Sequence, residues 1–287
     1  MIIEKRGLVY KEISIELAKK IILKNHYSRT WGVSFGKINI GVFKEDKILG
    51  VAVFGLLKSP KSYKKYSKEI EQDQILELNR MWLDDELGRN SESTLLSTSF
   101  KLIRNIDPNI KLINTFSDGR LGCGIVYQAS NFKYYGKHST PFIKIDGSDR
   151  IYHIQILTNT RESRFIKLNQ AYCENKLTSF EVDTYNYIYA LYPEWWDKIS
   201  IPQQTPPKEY EKEQKPCAIR PSSTNQLIKA LTVAKVRNDK EAFNIINNFL
   251  IEKRKLNPEE IKELIIKNLK DKRIFRLSVK RGKNSNE

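Results

Sequence analysis

The amino-acid sequence predicts an α/β protein with a mixed central sheet, helices on both faces and a C-terminal helical extension. Strand-like and helix-like periodicities alternate along the first 160 residues, a pattern typical of a sheet flanked by helices. A charged segment with five prolines, residues 201–221, separates this part from three amphipathic stretches. We therefore predict a domain over residues 1–200, a linker over 201–221 and a helical extension over 222–287.

The N-terminal half begins with alternating strands and helices. A strand over Leu8–Ile13 precedes a helix capped by Ser14, because apolar residues recur at helical spacing after this residue. A hairpin is predicted with strands at Ile38–Phe43 and Ile48–Leu57. A fourth strand follows at Ile75–Leu83, and a second helix at Glu92–Ile106.

After residue 110 the predicted elements are shorter. Extended segments are expected at Ile110–Ser117, Phe132–Tyr135, Phe142–Ile145 and Tyr152–Leu157, and helices at Gly124–Ser130 and Ser163–Tyr189. The three helices of the extension are marked by apolar residues at helical spacing, namely Leu227, Leu231 and Ala234, then Phe243, Ile246 and Leu250, then Ile261, Leu264, Ile265 and Leu269.

The composition restricts the class of protein. A net charge of +16, of which +9 falls in the last 87 residues, favours a polyanionic partner such as nucleic acid. A surface that is rich in lysine for compositional reasons is the alternative. Aromatic residues make up 10% of the chain, which argues against a disordered protein. The sequence has no apolar run of about 18–20 residues, no signal peptide and only three scattered cysteines, so we expect a soluble cytoplasmic protein without a membrane partner.

One loop with small residues lies between a predicted strand and helix. Arg89, Asn90, Ser91 and Ser93 would stand at the helix N-terminus, where backbone N–H groups and the helix dipole favour a phosphate group. Arg89 would add a forked donor. Ser91 and Ser93 are equally ordinary as capping residues.

A second segment, Asp118–Phe132, contains a glycine-rich turn followed by a short helix. Asp118 closes a strand and can accept a proton, and Tyr127 on the helix can donate one. The alternative is that Asp118 is a turn residue and that Tyr127 belongs to the core. Packing roles are also expected for His138, His153 and Cys123.

The strand, loop and helix over Leu76–Ile106 resemble the acyl-CoA-binding core of the GNAT acyltransferases. The stretch Gly124–Phe132 resembles the short helix of that superfamily, which ends in a tyrosine. The resemblance implies a GNAT-like fold and acetyl-CoA or a related acyl-CoA as cofactor. Arg89, Asn90, Ser91 and Ser93 would hold the pyrophosphate, although the loop lacks the internal glycines usual in the superfamily.

Three blocks resemble the Mom family of phage DNA-modification proteins, namely Asn25–Ser28, Glu77–Trp82 with Gly88–Ser93, and Asp118–Gly136. The resemblance covers roughly residues 10–160. It implies an enzyme that converts the adenine N6 amino group of double-stranded DNA into a methylcarbamoyl-type adduct. Such an enzyme protects phage DNA from restriction, and it would act in the cytoplasm of a bacterial host.

The same resemblance implies roles for individual residues. His26, Tyr27, Asp118 and Tyr127 are the implied catalytic residues, and Tyr135 lies at an aromatic position of the substrate site. An iron ion is implied as a further cofactor, for which His26, Tyr27 and Asp118 offer mixed nitrogen and oxygen ligands. Beyond the resemblance, we expect DNA contacts from basic residues of the turn and the C-terminal tail, namely Arg120, Lys272, Arg273, Arg276, Lys280 and Arg281.

Two other functions remain open from the sequence. A plain GNAT acetyltransferase that acts on a small amine or a protein lysine would share the loop but would not need the basic tail. A non-enzymatic nucleic-acid-binding protein on a GNAT-like scaffold would need the basic tail but no catalytic residues.

Overall fold

The computed structural model describes residues 1–57, 61–158, 164–209, 215–219 and 222–270. The chain forms two compact units. The first consists of Met1–His138 and Asp183–Lys212, and the second of Ser139–Val182 and Glu213–Glu287. The division into a domain, a linker and an extension stays a prediction.

The strands are β1 (Ile2–Lys5), β2 (Leu8–Glu12), β3 (Ile38–Lys44), β4 (Lys47–Gly55), β5 (Ile75–Leu83), β6 (Leu112–Asp118), β7 (Lys133–Ile145), β8 (Ile151–His153), β9 (Leu177–Ala190) and β10 (Lys215–Pro216). The α-helices are α1 (Ile15–Asn25), α2 (Ser91–Ile106), α3 (Ile125–Ala129), α4 (Phe165–Cys173), α5 (Thr224–Val236), α6 (Lys240–Arg254) and α7 (Pro258–Lys270).

The first unit is built on a mixed sheet. Its strands run in the order β1, β2, β3, β4, β5, β6 and β9, and all neighbours are antiparallel except β5 and β6. Alternate residues of β4 face opposite sides, as the pleat requires. Val51 and Val53 pack with α1, whereas Ala52 and Phe54 join the core cluster that contains α2. The predicted α/β class, with helices on both faces of the sheet, is confirmed.

One of the predicted helices is wrong over its second half. The helix expected at Ser163–Tyr189 ends at Cys173, and Leu177–Ala190 is strand β9. Aromatic and β-branched residues dominate this segment, and such residues favour a strand. Its part from Thr184 to Ala190 pairs with the whole of β6. The strand predicted at Tyr152–Leu157 is also shorter, since β8 ends at His153 and a 3-10 turn follows.

The second unit contains the helices α4 to α7. Their shared core is formed by apolar residues at the predicted helical spacing, including Leu227, Leu231, Ile246, Leu250, Ile261 and Ile265. Asn257 caps α7 because its Oδ1 accepts a hydrogen bond from the Glu260 N–H at 2.7 Å. In the part of the chain that the structure describes, no helix is long and apolar enough to cross a membrane.

Candidate active site

Strands β5 and β6 pair over a short distance and then leave a cavity between them. The parallel pairing covers three residue pairs and reaches Glu77 and Asn114. Immediately beyond lies a cavity of about 380 Å³, lined by Leu78–Met81 of β5 and Phe116–Asp118 of β6. The turn after β6, helix α3 and the residues after α1 complete its wall. The cavity therefore collects the ends of several elements at one place in the first unit.

A β-bulge shapes the β5 side of the cavity. Val53 of β4 pairs with Arg80 and Phe54 pairs with Leu78, so that Asn79 is the extra residue. Bulges of this kind change the direction of a side chain and often lie beside active sites. The Asn79 Nδ2 donates to Glu77 Oε1 at 3.1 Å, and its Oδ1 is buried without a hydrogen-bond partner.

His26 follows the last residue of α1 and lines the cavity. Its Nδ1 accepts a hydrogen bond from the Ser28 N–H at 3.1 Å and lies 2.9 Å from Ser28 Oγ. Nδ1 is therefore an acceptor, and the proton of the neutral ring belongs on Nε2. Burial, and then the positive charge of Arg80, lower the pKa of His26 to about 4. The ring is neutral at physiological pH and offers Nε2–H as a donor.

The carboxylate of Asp118 is held by Arg120. The Arg120 Nε donates to Oδ1 at 2.9 Å and to Oδ2 at 3.0 Å, and Nη2 also donates to Oδ2. The Arg120 N–H adds a bond to Oδ1 at 3.0 Å. The two side chains are 17% and 23% exposed, so this ion pair is shielded from bulk water. Asp118 is consequently a fixed anion of the cavity wall whose oxygens are already occupied.

Two tyrosines contribute hydroxyl groups to the same cavity. Burial raises the pKa of Tyr127, against the lowering effects of a hydrogen bond with Thr115 and of the Arg80 charge. Burial around the Tyr27 hydroxyl and the Asp118 charge raise the pKa of Tyr27, although the residue as a whole is exposed. Both phenols are therefore protonated at neutral pH and can donate hydrogen bonds or protons.

Arg80 is a site residue that the sequence alone did not single out. Its Nη1 donates to the Asn79 carbonyl oxygen at 2.6 Å and its Nη2 to Thr30 Oγ1 at 3.0 Å, while Nε is buried without a partner. The guanidinium lies 4.8 Å from the centre of the Phe35 ring. Its charge adds to the lowering of the His26 pKa and opposes the rise in the pKa values of Tyr27 and Tyr127. Arg80 is the one cation of β5, whose other residues are apolar except Glu77 and Asn79, and this was the available sequence signal.

The predicted phosphate-binding residues begin helix α2. Asn90 adopts a left-handed conformation at the N-cap, and its side chain makes no capping hydrogen bond. Ser91 Oγ donates to the Gly88 carbonyl oxygen at 2.8 Å, and Ser93 Oγ donates to that of Asn90 at 3.1 Å. The serine protons are thus used within the turn. The exposed Arg89 side chain and the backbone N–H groups of the first turn of α2 remain as candidate hydrogen-bond donors to a phosphate group.

Other predicted residues lie elsewhere. Tyr135 packs in the first unit against a cluster that includes Tyr66 and Ile188, and it is not among the cavity-lining residues. Burial raises its pKa to about 12. The predicted DNA contacts in the tail lie outside the described residues, namely Lys272, Arg273, Arg276, Lys280 and Arg281.

The implied iron ligands share the cavity but do not fit a metal site as arranged. Both Asp118 oxygens accept hydrogen bonds from Arg120, and Nδ1 of His26 is engaged by Ser28. The cations of Arg80 and Arg120 both act on Tyr27, where a metal cation would be repelled. Among the residues that the structure describes, no group of three or more His, Cys, Asp or Glu side chains is arranged to hold a metal ion.

Comparisons with known proteins give a family match and one curated relative. The profile of the Mom protein family matches residues 7–210. A protein of Escherichia phage Mu named methylcarbamoylase mom is 39% identical over 143 residues, which cover 50% of this chain and 59% of that protein. The chain therefore spans less than two thirds of this relative's length.

Solved structures of acetyltransferases also match at low identity. The ribosomal-protein-S18-alanine N-acetyltransferase of Escherichia coli is 9% identical, covers 64% of this chain and 94% of its own, and gives a TM-score of 0.37. A GNAT-family acetyltransferase of Streptococcus pneumoniae is 12% identical over 64% of this chain and 98% of its own, also with a TM-score of 0.37. Arabidopsis thaliana NAA60 in complex with acetyl-CoA is 10% identical, covers 64% of this chain and 98% of its own, and gives a TM-score of 0.39.

Proposed function

The chain belongs to the Mom protein family, and we propose on this basis that it is a DNA-modifying transferase. It attaches an acyl-derived group of the methylcarbamoyl type to the N6 amino group of adenine. The relative from phage Mu is named a methylcarbamoylase, which supports this type of group. In this proposal the protein is encoded by a phage or prophage, acts in the host cytoplasm and protects phage DNA from restriction.

One observation carries the proposal. His26, Tyr27, Asp118 and Tyr127 come from separate blocks of the sequence, and all four line the cavity between β5 and β6. Residues that are distant in sequence, polar and gathered in one cavity are the usual sign of a site for chemistry. In this cavity all four side chains can act on one ligand.

The size of the cavity suits a single base. Its volume of about 380 Å³ lies within the range of roughly 300–1,000 Å³ that small-molecule sites occupy. An enzyme that acts on a base in double-stranded DNA must extrude this base from the stack. We assign the cavity to the extruded adenine, with its N6 amino group towards the polar residues of β5 and β6.

The amino group of adenine is a poor nucleophile because its lone pair is delocalised into the ring. Asn79 is not assigned as its acceptor, since the Asn79 Oδ1 is buried against Gly55, where a Cβ would lie 2.4 Å from it. His26 would contribute its Nε2–H as a donor to a ring nitrogen of the base.

Proton transfer to the leaving group is assigned to Tyr127. When a bond forms at N6, the amino group loses one proton and the departing group gains one. Tyr127 carries a proton because burial raises its pKa, and Arg80 and Thr115 stabilise the phenolate that is left after donation. Asp118 is better suited to hold Arg120 than to accept a proton, since its oxygens are occupied.

The donor is proposed to be acetyl-CoA or a related acyl-CoA bound at the start of α2. Arg89 and the backbone at Asn90, Ser91 and Ser93 would hold the pyrophosphate. Glu92 stands in the first turn of the same helix, and its negative charge opposes a phosphate group. When bound, the CoA thioester would supply the two-carbon unit. A methylcarbamoyl group is joined to N6 through its CH2 carbon and carries an amide nitrogen, so its formation takes a two-electron oxidant and a nitrogen donor besides the thioester.

Double-stranded DNA is the proposed partner, held through phosphate contacts of the basic residues. The excess of lysine and arginine supports such contacts. Arg120 is engaged by Asp118 beside the cavity and is not among the lining residues. Lys272, Arg273, Arg276, Lys280 and Arg281 are assigned to the DNA backbone. Tyr135 is assigned to the support of the substrate site from outside the cavity.

The proposal can be tested with the purified full chain, plasmid DNA and acetyl-CoA labelled with ¹³C in the acetyl group. Mass spectrometry of the digested DNA should find the label in a modified deoxyadenosine. Label on protein lysines or on an added polyamine, with unlabelled DNA, would support a plain acetyltransferase instead. DNA binding without any transfer would support the non-enzymatic alternative.

A further inference from the structure

Large apolar side chains surround the mouth of the cavity and are exposed. Leu121 is 59% exposed and Ile125 is 64% exposed, and both line the cavity. Tyr27, in the segment after α1, is 61% exposed and also lines the cavity. Single exposed apolar residues are common on proteins, but several at one cavity mouth indicate a contact surface.

The turn that carries Leu121 is held in a fixed conformation. The Leu121 N–H donates to the Asp118 carbonyl oxygen at 2.8 Å, and Ser117 Oγ donates to that of Gly122 at 2.8 Å. Gly119 packs so closely that a Cβ would lie 2.3 Å from the Asp183 carbonyl oxygen. The apolar side chain is therefore presented by a rigid turn.

Ile125 is presented in a similarly rigid way at the first position of α3. Gly124, which precedes it, has φ +88°, and a Cβ there would lie 2.5 Å from the Tyr187 ring. The hydroxyl of Tyr187 donates to the Cys123 carbonyl oxygen. Side chains held on a supported backbone lose little conformational entropy when they bind a partner.

The charges beside the mouth are suited to nucleic acid. Lys24 and Arg29 are both exposed and flank the segment that carries His26 and Tyr27. Exposed cations next to an apolar rim fit a duplex, in which phosphates surround the apolar faces of stacked bases. They do not fit an apolar protein partner equally well.

We propose that Leu121 and Ile125 form a wedge that enters the duplex beside the extruded base. The two side chains would pack against the neighbouring base pairs and fill the space that the base leaves. Apolar side chains of DNA-binding proteins insert between base steps in this manner. This inference rests on the proposed function, and it assigns DNA opening to residues that have no polar group for the chemistry.

The test compares two forms of one DNA sequence, a single-stranded circle and its double-stranded form. The double variant Leu121→Ala with Ile125→Ala should lower the ratio of duplex to single-strand modification at least tenfold, because a single strand needs no wedge. Leu121→Met, which keeps an apolar side chain of similar size, should retain the wild-type ratio. Leu23→Ala, an exposed apolar residue of α1 outside the cavity, serves as the control with an unchanged ratio.

The possible outcomes separate the two proposals. Equal losses on both DNA forms would overturn the wedge and assign the two side chains to the base or the acyl group inside the cavity. No loss on either form would also overturn it. Absence of any modified base with the wild-type protein would instead count against the proposed function. Thermal unfolding verifies that each variant is folded.

Discussion

Arg120 donates through one nitrogen, Nε, to both carboxylate oxygens of Asp118, at 2.9 and 3.0 Å. The pair stands at the end of β6, where the cavity opens between two separated strands. The sequence predicts that Asp118 is a proton acceptor, but this ion pair gives Asp118 a structural role instead. Among the cavity-lining residues, Arg80 carries the charge that remains to act on a ligand.

The shielded ion pair should affect stability more than an exposed one. Arg120→Leu leaves the Asp118 carboxylate without its partner, so we expect a loss of about 1–3 kcal/mol in the free energy of unfolding. Lys47→Leu, which removes a partner of the exposed Glu86, should destabilise the protein less, because solvent screens this pair. Urea unfolding of both variants measures the difference, and equal losses would contradict it.

His26 should make stability fall as the pH falls. Its pKa is about 4 in the folded protein and about 6.5 in the unfolded chain. Between these values the unfolded state binds a proton that the folded state does not, so the fold loses up to about 3 kcal/mol. The decline begins as the pH falls below about 6.5 and is complete near 4. His26→Gln should lack this part of the decline, and parallel curves for the two proteins in urea unfolding would argue against a buried neutral imidazole.

Tyr127→Phe should remove proton donation while the fold is retained. General acid catalysis contributes roughly 10²–10⁴-fold, so we expect the rate of DNA modification to fall by at least about 100-fold. Tyr10→Phe is the matched control, because Tyr10 is buried in the same core cluster but does not line the cavity. Similar rates for both variants would show that the Tyr127 hydroxyl takes no part in the chemistry.

Two substitutions at the start of α2 should change CoA affinity in opposite directions. Arg89→Gln removes a cation and should weaken binding about tenfold. Glu92→Gln removes an anion from the first helical turn and should tighten binding about two- to fivefold. Isothermal titration with CoA provides both values. If the two substitutions changed the affinity in the same direction, the pyrophosphate would have to lie elsewhere.

The tail can be tested by truncation only if α7 is preserved. Ile265 of this helix belongs to the core of the second unit, so a cut at Lys262 would damage that core. Removal of residues 271–287 takes away the five basic residues that we assign to the DNA backbone. The slope of log K against log salt should then flatten by about 0.9 for each phosphate that these residues neutralise. An unchanged slope would mean that the tail does not bind DNA.

The sequence predicted a strand or helix correctly where its local hydrophobic pattern agreed with the packing of that segment in the fold. Ile75–Leu83 was predicted with the bounds that β5 has, and Ser14 caps α1 as expected, accepting from the Leu17 N–H at 3.2 Å. Leu177–Ala190 was misassigned because it was joined to a helical stretch that precedes it. Its strand character depends on pairing with the distant strand β6, in which Leu112 pairs with Ala190 and Asp118 with Thr184.

The candidate site could be predicted only in part. The residue types at His26, Tyr27, Asp118 and Tyr127 were visible in the sequence. Their gathering in one cavity depends on where β5 and β6 stop pairing, which no local pattern encodes. The bulge at Asn79 depends in the same way on the register between β4 and β5.

The central claim is that this protein modifies adenine in DNA, and nucleoside mass spectrometry of plasmid DNA tests it most directly. The plasmid is recovered from cells that produce the full chain and from cells that produce Tyr127→Phe. We predict a deoxyadenosine of increased mass with the wild-type protein, strongly reduced with the variant. Unmodified deoxyadenosine in cells that contain soluble, folded wild-type protein would contradict the claim.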